Sequence, residues 1–449
     1  MLDDPYAVPP SDPSTDPPPR HSARLRPSRR SLLTGALGLA GAVTLGGCGT
    51  LGSRARVREW NLFGGGDGAR LLQIHEKFVA EHKDIAFEAH TLAWGPPFYT
   101  KLAMSAAGGR APEVATLHLS RLKGFSPSTM LDPIPVDLLE QAGIAERDFL
   151  PETWQRCLVD GKLYAVPLDQ HPFVLYYNLE ICKKAGLLGP DGKLKPVKGV
   201  EAFLELLKAV KDTTGKFAAS VETTNPWRLW WTLYGQLEGE FFDESGTRLV
   251  LDDAKALEAL QLMAKLAADG LTPRSSDYPS LVAQFTNGDA GLSFNGEWEV
   301  TTYQTAKMPF SMAPFPVVYD VPKYAGDAHT FVLPHQANRN KVDTSATIEY
   351  IAWMLKHSAD WAAGGHIPAY QPVVASPEYL NLKPQAEYRS VAPDVLFDPD
   401  AWFSGSGAQL QNEAGAAFAG VFSGRTSPRQ ALDQFKAATQ KLLDTPSPV

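Results

Sequence analysis

The sequence predicts an α/β protein built in more than one domain, and three observations carry that reading. From residue 57 to about 150, short alternating apolar runs trade places with stretches of helical periodicity. Helical patterns then recur to the C-terminus, at 201–211, 254–268, 345–357, 407–423 and 428–443. The 449 residues also exceed what a single apolar core usually organises.

The first 27 residues are proline-dense and nearly without apolar content, too little to offset the entropy of ordering them, so they are expected to be disordered. Ser28-Arg29-Arg30 then opens an uncharged run, Ser31 to Gly47, of 17 residues with five glycines, ending at Cys48. A hydrocarbon slab about 30 Å thick takes roughly 20 strongly apolar residues, so the run reads as the core of a signal sequence over 1–47 rather than a membrane span. Leu45-Gly46-Gly47-Cys48 resembles a bacterial lipoprotein signal, in which the chain is cut before the cysteine and its thiol takes the lipid. An ordinary cleavable signal with an incidental cysteine is the alternative. Ser28-Arg-Arg-Ser-Leu-Leu33 resembles the twin-arginine export motif, with Leu32 where an aromatic residue is usual and Thr34 where lysine is common. The export route stays open between that path and general secretion.

Gly49–Arg58 reads as a flexible leash and 48–58 as the anchored linker. Val57–Leu62 alternates as a strand, Phe63-Gly64-Gly65-Gly66-Asp67-Gly68 as a turn, and Leu71, Leu72, Ile74, His75, Phe78 and Val79 mark one broad helix face. The turn lacks Gly-Lys-Ser/Thr, which argues against nucleotide binding. Ile85–Leu92 alternates again, 98–107 is helical, and Glu113–His118 is a third strand, giving a lobe with a mostly parallel sheet. Asp160-Gly161 makes a hairpin turn. Leu163–Val166 and Val174–Asn178 are extended runs, and the polar Asp169, Gln170 and His171 between them suit a chain crossing between lobes past a wet cleft. The last helix is amphipathic through Ala431, Phe435, Ala438 and Leu442.

Composition excludes some partners. The whole chain carries a net charge of −8, and removing residues 1–47 leaves 37 basic against 46 acidic side chains, a net charge of −9. That balance excludes nucleic acid and offers anionic lipid no basic patch. Beyond Cys48, Cys157 and Cys182 read as buried small hydrophobes, with a bridge between them left open. No cysteine-rich metal spacing occurs, and the ten histidines include no H-x-x-x-H pair, so no metal or cofactor is expected. Trp353 sits in an apolar helical run, whereas Trp94, Trp227, Trp298 and Trp402 stand in polar company, as side chains at a surface or cleft do.

Asp160–Asn178 resembles the signature of bacterial family 1 extracellular solute-binding proteins, the maltose-binding group of ABC importers. Phe285–Trp298 resembles that family's glycine segment and its Asn-Gly-x-Trp element. Gly364-Gly365-His366-Ile367-Pro368 resembles its Gly-x-x-Pro turn, and Ser427–Leu443 its closing helix. The resemblance covers nearly all of the chain after Cys48. It implies an α/β, two-lobe, periplasmic-binding-protein-like fold with a hinge and an interlobe cleft, divided as 59–169 with 313–366 and 170–312 with 367–449.

It also implies a ligand set. Ser120 and Arg121 match a polar pair after the third strand, His171 stands where maltose-binding members place a carboxylate, and Asp169 lies two residues before it. Trp227, Trp298 and Trp402 match aromatic sugar platforms. Pyranose C–H faces lie on aromatic planes while hydroxyls need donors and acceptors around the rim. The implied partners are a sugar and the membrane subunits of an ABC permease, met by a monomer tethered outside the cytoplasmic membrane. A peptide or polyamine binder is the second reading. A hydrolase is the third, since Glu297 and Glu299 flank Trp298 as paired carboxylates; against it, on a strand the two would share one face about 7 Å apart, and no acid opposes them across a cleft.

Overall fold

The computed structural model describes residues 54–125, 129–243 and 245–447. The signal sequence, the arginine pair and Cys48 lie outside them. The first strand, Ala55–Asn61, begins inside the expected leash, because Arg56 and Arg58 pair along Ile85–Thr91 instead of remaining free.

Each lobe is a sheet covered by helices. In the first, Ala55–Asn61 pairs in parallel with Ile85–Thr91 and Val114–His118. His329–Pro334 then joins antiparallel to Val114–His118, Leu131–Asp132 and Ala165–Pro167, so the sheet is mixed rather than mostly parallel. The helix Gly65–Glu81 covers it with Leu71, Ile74, His75 and Phe78. Leu72 and Val79, expected on that face, are 60% and 42% exposed, which narrows the apolar stripe. The Asp160-Gly161 turn closes a hairpin with positive φ at both residues, 49° and 71°.

The second sheet is organised by Asp169–Asn178, ten residues that are all buried. It pairs antiparallel with Ala290–Gly296, Phe310–Pro314, Tyr324–Asp327 and Ile367–Pro368. The polar residues expected in a wet crossing therefore lie inside a strand, and burial is tolerated because each has a partner. Gln170 Nε2, for one, donates to Thr153 Oγ1 at 2.9 Å. The chain enters this sheet at Asp169 and leaves beside it, where Asp327 faces His171, before His329 starts the first lobe's last strand.

Two separate apolar cores result. Phe315, Val318, Tyr324 and Ala325, grouped by sequence with the first lobe, pack in the second core, while Val395 and Phe397 pack in the first. Trp230 and Trp231 are core residues, as is Trp353. Cys157 and Cys182 are unbridged and buried, one in each core. Among the described residues no helix is long and apolar enough to cross a membrane.

Glu59, on the first strand, is fully buried, and Asn61 Nδ2 donates to its Oε2 at 2.8 Å. Burial pushes its carboxyl up to about 8 from 4.5. Between those two values the folded chain holds a proton that the unfolded chain has released, so the stability this group contributes falls as pH rises from 4.5 toward 8. Glu59→Gln keeps the acceptor for Asn61 without the ionisation. Its melting temperature is expected to gain on the parent progressively across that window, and a difference that is flat with pH would contradict the assignment.

Candidate functional site

A cavity of about 540 Å³ lies between the lobes. Its first-lobe wall is made by the segments that follow strand ends: Phe63, Gly64 and Asp67 after the first strand, Trp94 after the second, and His118 closing the third. His171 and His329, from the paired crossing strands, make its floor. The second lobe adds Glu222 after Phe217–Val221, Arg228 in the first turn of Trp227–Gln236, Trp298 and Glu299 after Ala290–Gly296, and Gln411 and Asn412 in the first turn of Gln409–Ser423. Strand C-termini and helix N-termini thus converge from both sides, the usual crevice of α/β sheets.

Trp298 is held rather than loose. Its Nε1 donates to Tyr278 Oη at 2.6 Å, and that hydroxyl donates in turn to Glu299 Oε1 at 2.5 Å. The Arg228 guanidinium lies 5.0 Å over the indole ring, and His171 meets its edge at 5.9 Å. Across the cavity, Trp94 is 50% exposed, and a side chain at Gly407, whose φ is +66°, would touch its ring at 3.1 Å. Two indoles, one from each lobe, therefore face the same space, with Asn225, Arg228, Glu222, Glu299 and Asn412 around them. Burial raises the Glu222 carboxyl, and the charge of Arg228 works against that rise.

Imidazoles fill the floor. His171 stacks on His329 at 4.1 Å, and His118 meets His329 edge-on at 4.7 Å. Asp169 lies beneath: its oxygens are 3.1 Å from His171 Nδ1, 2.8 Å from His329 Nδ1 and 2.6 Å from Trp361 Nε1, which donates to it. Burial drives His171 down to about 3, with the neighbouring His329 adding to the effect, and drives His118 well below its ordinary value. The neutral form of His171 and His118 is thereby favoured, and a neutral imidazole can both donate and accept.

Of the residues read from sequence, His171 and Trp298 line the cavity, and Asp169 supports it from behind. The other four do not line it. Ser120 is bonded to Asp327 through both its backbone N–H and its hydroxyl, and its Oγ accepts from Ser406 N at 3.2 Å. Arg121 lies 4.2 Å over the Tyr99 ring. Trp227 is buried in the second core, stacked on Trp231 at 5.2 Å, with Nε1 donating to Asp398 at 2.7 Å. Trp402 is half-buried against Phe403. Trp227 opens a helix whose successive side chains turn by about 100°, so the next residue, Arg228, faces the cavity in its place. Glu297 and Glu299 leave a 3₁₀ turn rather than a strand, and they diverge: Glu297 is buried beside His366, and Glu299 reaches the cavity.

Sequence reading missed Asp67, His118, Glu222, Asn225, Arg228, Tyr278, His329, Gln411 and Asn412. Arg228 and Asn225 adjoin the Trp227 element and could have been found there, whereas Tyr278 and His329 have no local pattern to mark them.

The family model described as bacterial extracellular solute-binding protein matches residues 73–383. Maltodextrin-binding protein MdxE of Bacillus subtilis (strain 168) is 26% identical over 239 residues, 50% of this chain and 52% of that protein. The arabinooligosaccharide-binding protein of the same organism is 26% identical over 211 residues, 44% of this chain and 46% of that one, so the matches span about half the length of these relatives. Among solved structures, the GacH receptor of Streptomyces glaucescens GLA.O superposes with a TM-score of 0.73 at 19% identity, covering 87% of this chain and 98% of its own. Maltose-bound MalE3 of T. maritima superposes at 0.72 and 18% identity, covering 86% and 99%. These structures share the fold, two α/β lobes about an interlobe cleft. With most of its length matched by the family model, the chain belongs to the bacterial extracellular solute-binding proteins.

Proposed function

We propose that this chain is the receptor of an ABC importer and captures a mono- or oligosaccharide outside the cytoplasmic membrane. The observation that carries the reading is the pair Trp94 and Trp298, one indole from each lobe, facing a cavity whose remaining walls mix donors and acceptors. Two aromatic planes suit the C–H faces of pyranose rings, and groups such as Arg228, Asn225 and Asn412 suit their hydroxyls. Relatives that bind maltodextrin and arabinooligosaccharide support the same class. Contacts to both lobes exist only when these close, so ligand shifts an open–closed equilibrium and presents a closed receptor to the permease. The chain carries out no reaction in this reading. Cys48 carries the lipid, the segment up to Arg54 is the leash, and Arg29-Arg30 opens the export signal. The division of the lobes runs through the paired crossings at Asp169 and His329.

Thermal melts of the full chain against a panel of saccharides, peptides and polyamines test this. A cognate saccharide at 100 times its Kd is expected to add about 2.7 kcal/mol of stability. A shift with a peptide or polyamine and none with any saccharide would overturn the sugar assignment.

A further inference from the structure

Three of the ten histidines gather around one acid at the hinge. Asp169 and His171 sit two apart on the crossing strand, His329 opens the returning strand, and His366 precedes the short strand Ile367–Pro368. All four residues are buried, and one potential ligand atom from each lies within 4.8 Å of the others. Asp169 oxygens are 3.1, 2.8 and 3.5 Å from the Nδ1 atoms of His171, His329 and His366. Bonds of about 2.0–2.2 Å put neighbouring ligands of a tetrahedral zinc ion roughly 3.3–3.6 Å apart; Asp169 Oδ2 lies 2.8 and 3.5 Å from His329 and His366, while His171 faces Oδ1 at 3.1 Å.

Two further observations favour a shared ion over shared protons alone. His366 Nδ1 is buried, 3.0 Å from Glu297 Oε1 and 3.5 Å from Asp169 Oδ2, and its alignment with both falls short of hydrogen-bond geometry. The set is also braced from outside. His366 Nε2 lies 3.2 Å from Asp67 Oδ2, Trp361 stacks on the His366 ring at 4.5 Å and 3°, and Trp361 Nε1 donates to Asp169. Metal-binding imidazoles and carboxylates are held in this way, by acids and donors on their far sides.

We propose that Asp169, His171, His329 and His366 hold one borderline transition-metal dication of the Zn²⁺ class at the hinge. Three imidazoles and one carboxylate suit zinc, whereas Ca²⁺ and Mg²⁺ take oxygen ligands. Four protein ligands complete the coordination sphere, so the ion is structural. It fastens the strand entering the second lobe to the one returning, and fixes the ring of His171 on the cavity floor.

The test strips the full chain with chelator and titrates it with ZnCl₂, CoCl₂ or MgCl₂. One zinc per chain is expected, with a rise in melting temperature for zinc and none for magnesium. Cobalt is expected to give the visible d–d bands of a four-coordinate site. His329→Gln and His366→Gln should each weaken zinc binding beyond the roughly 10–100-fold that losing an outer partner costs. His118→Gln, which touches the His171 and His329 rings without belonging to the set, should stay within about that range. The parent chain's cobalt spectrum needs no variant and so decides the matter even if a variant misfolds. No d–d band with no saturable zinc binding overturns the proposal, as does zinc binding that all three variants leave unchanged. None of these readouts involves a saccharide, so failure here leaves the sugar assignment standing.

Discussion

Trp298→Ala is expected to weaken saccharide binding by roughly 30-fold or more, the equivalent of about 2 kcal/mol for an aromatic anchor at the centre of a site. The size of the effect follows from how the indole is held. Tyr278 fixes its Nε1, Arg228 lies over one face and His171 meets its edge, so the ring waits in one orientation and little is lost in ordering it. Trp94, half in solvent on the opposite wall, should cost less when removed. Trp227→Phe is the control: it lies in the core, so it should lower stability while leaving affinity nearly intact. Calorimetric titration with the saccharide found in the melts measures all three. A Trp298→Ala chain that binds as tightly as its parent removes that residue from the site.

Gly365→Ala is expected to destabilise the fold by about 3–5 kcal/mol, combining a backbone conformation that only glycine adopts readily with a steric overlap. Gly365 has φ +124°, and a Cβ there would collide with the Glu297 carbonyl. No flexible side chain can yield, because the obstacle is backbone. Neighbouring Gly364 is the comparison, since its φ is not positive and its added methyl would meet the Arg70 side chain and the Trp361 carbonyl no closer than 3.2 Å, and Gly364→Ala should cost much less. Urea titrations of the two variants give both values. Equal midpoints would show that the turn relaxes freely.

Much of the architecture was legible because it depends on local periodicity. Ile85–Thr91, the Asp160-Gly161 hairpin and the helices at 254–268 and 428–443 follow from alternation, turn residues and apolar spacing alone. The antiparallel arrival of His329–Pro334 in the first sheet did not, since strand partners separated by two hundred residues leave no local trace. The site divides in the same way. Trp298 was legible through its polar company and the Asn-Gly-x-Trp resemblance, and His171 because a buried core strand rarely carries it. Arg228 was hidden by one residue of helical rotation beside a more conspicuous tryptophan. His366 could be read only as a residue near a turn, because its neighbours Asp67, Asp169 and Glu297 come from three other parts of the chain.

The two buried thiols have a practical side. Cys157 belongs to one apolar core and Cys182 to the other, and burial pushes the Cys182 thiol up to about 12 and Cys157 higher still, so neither reacts while its surroundings stay packed. Each becomes available to a trapping reagent only when its own lobe opens. The chain thus carries two built-in clocks, and the order in which they are labelled during denaturation reports whether the lobes come apart together or one at a time.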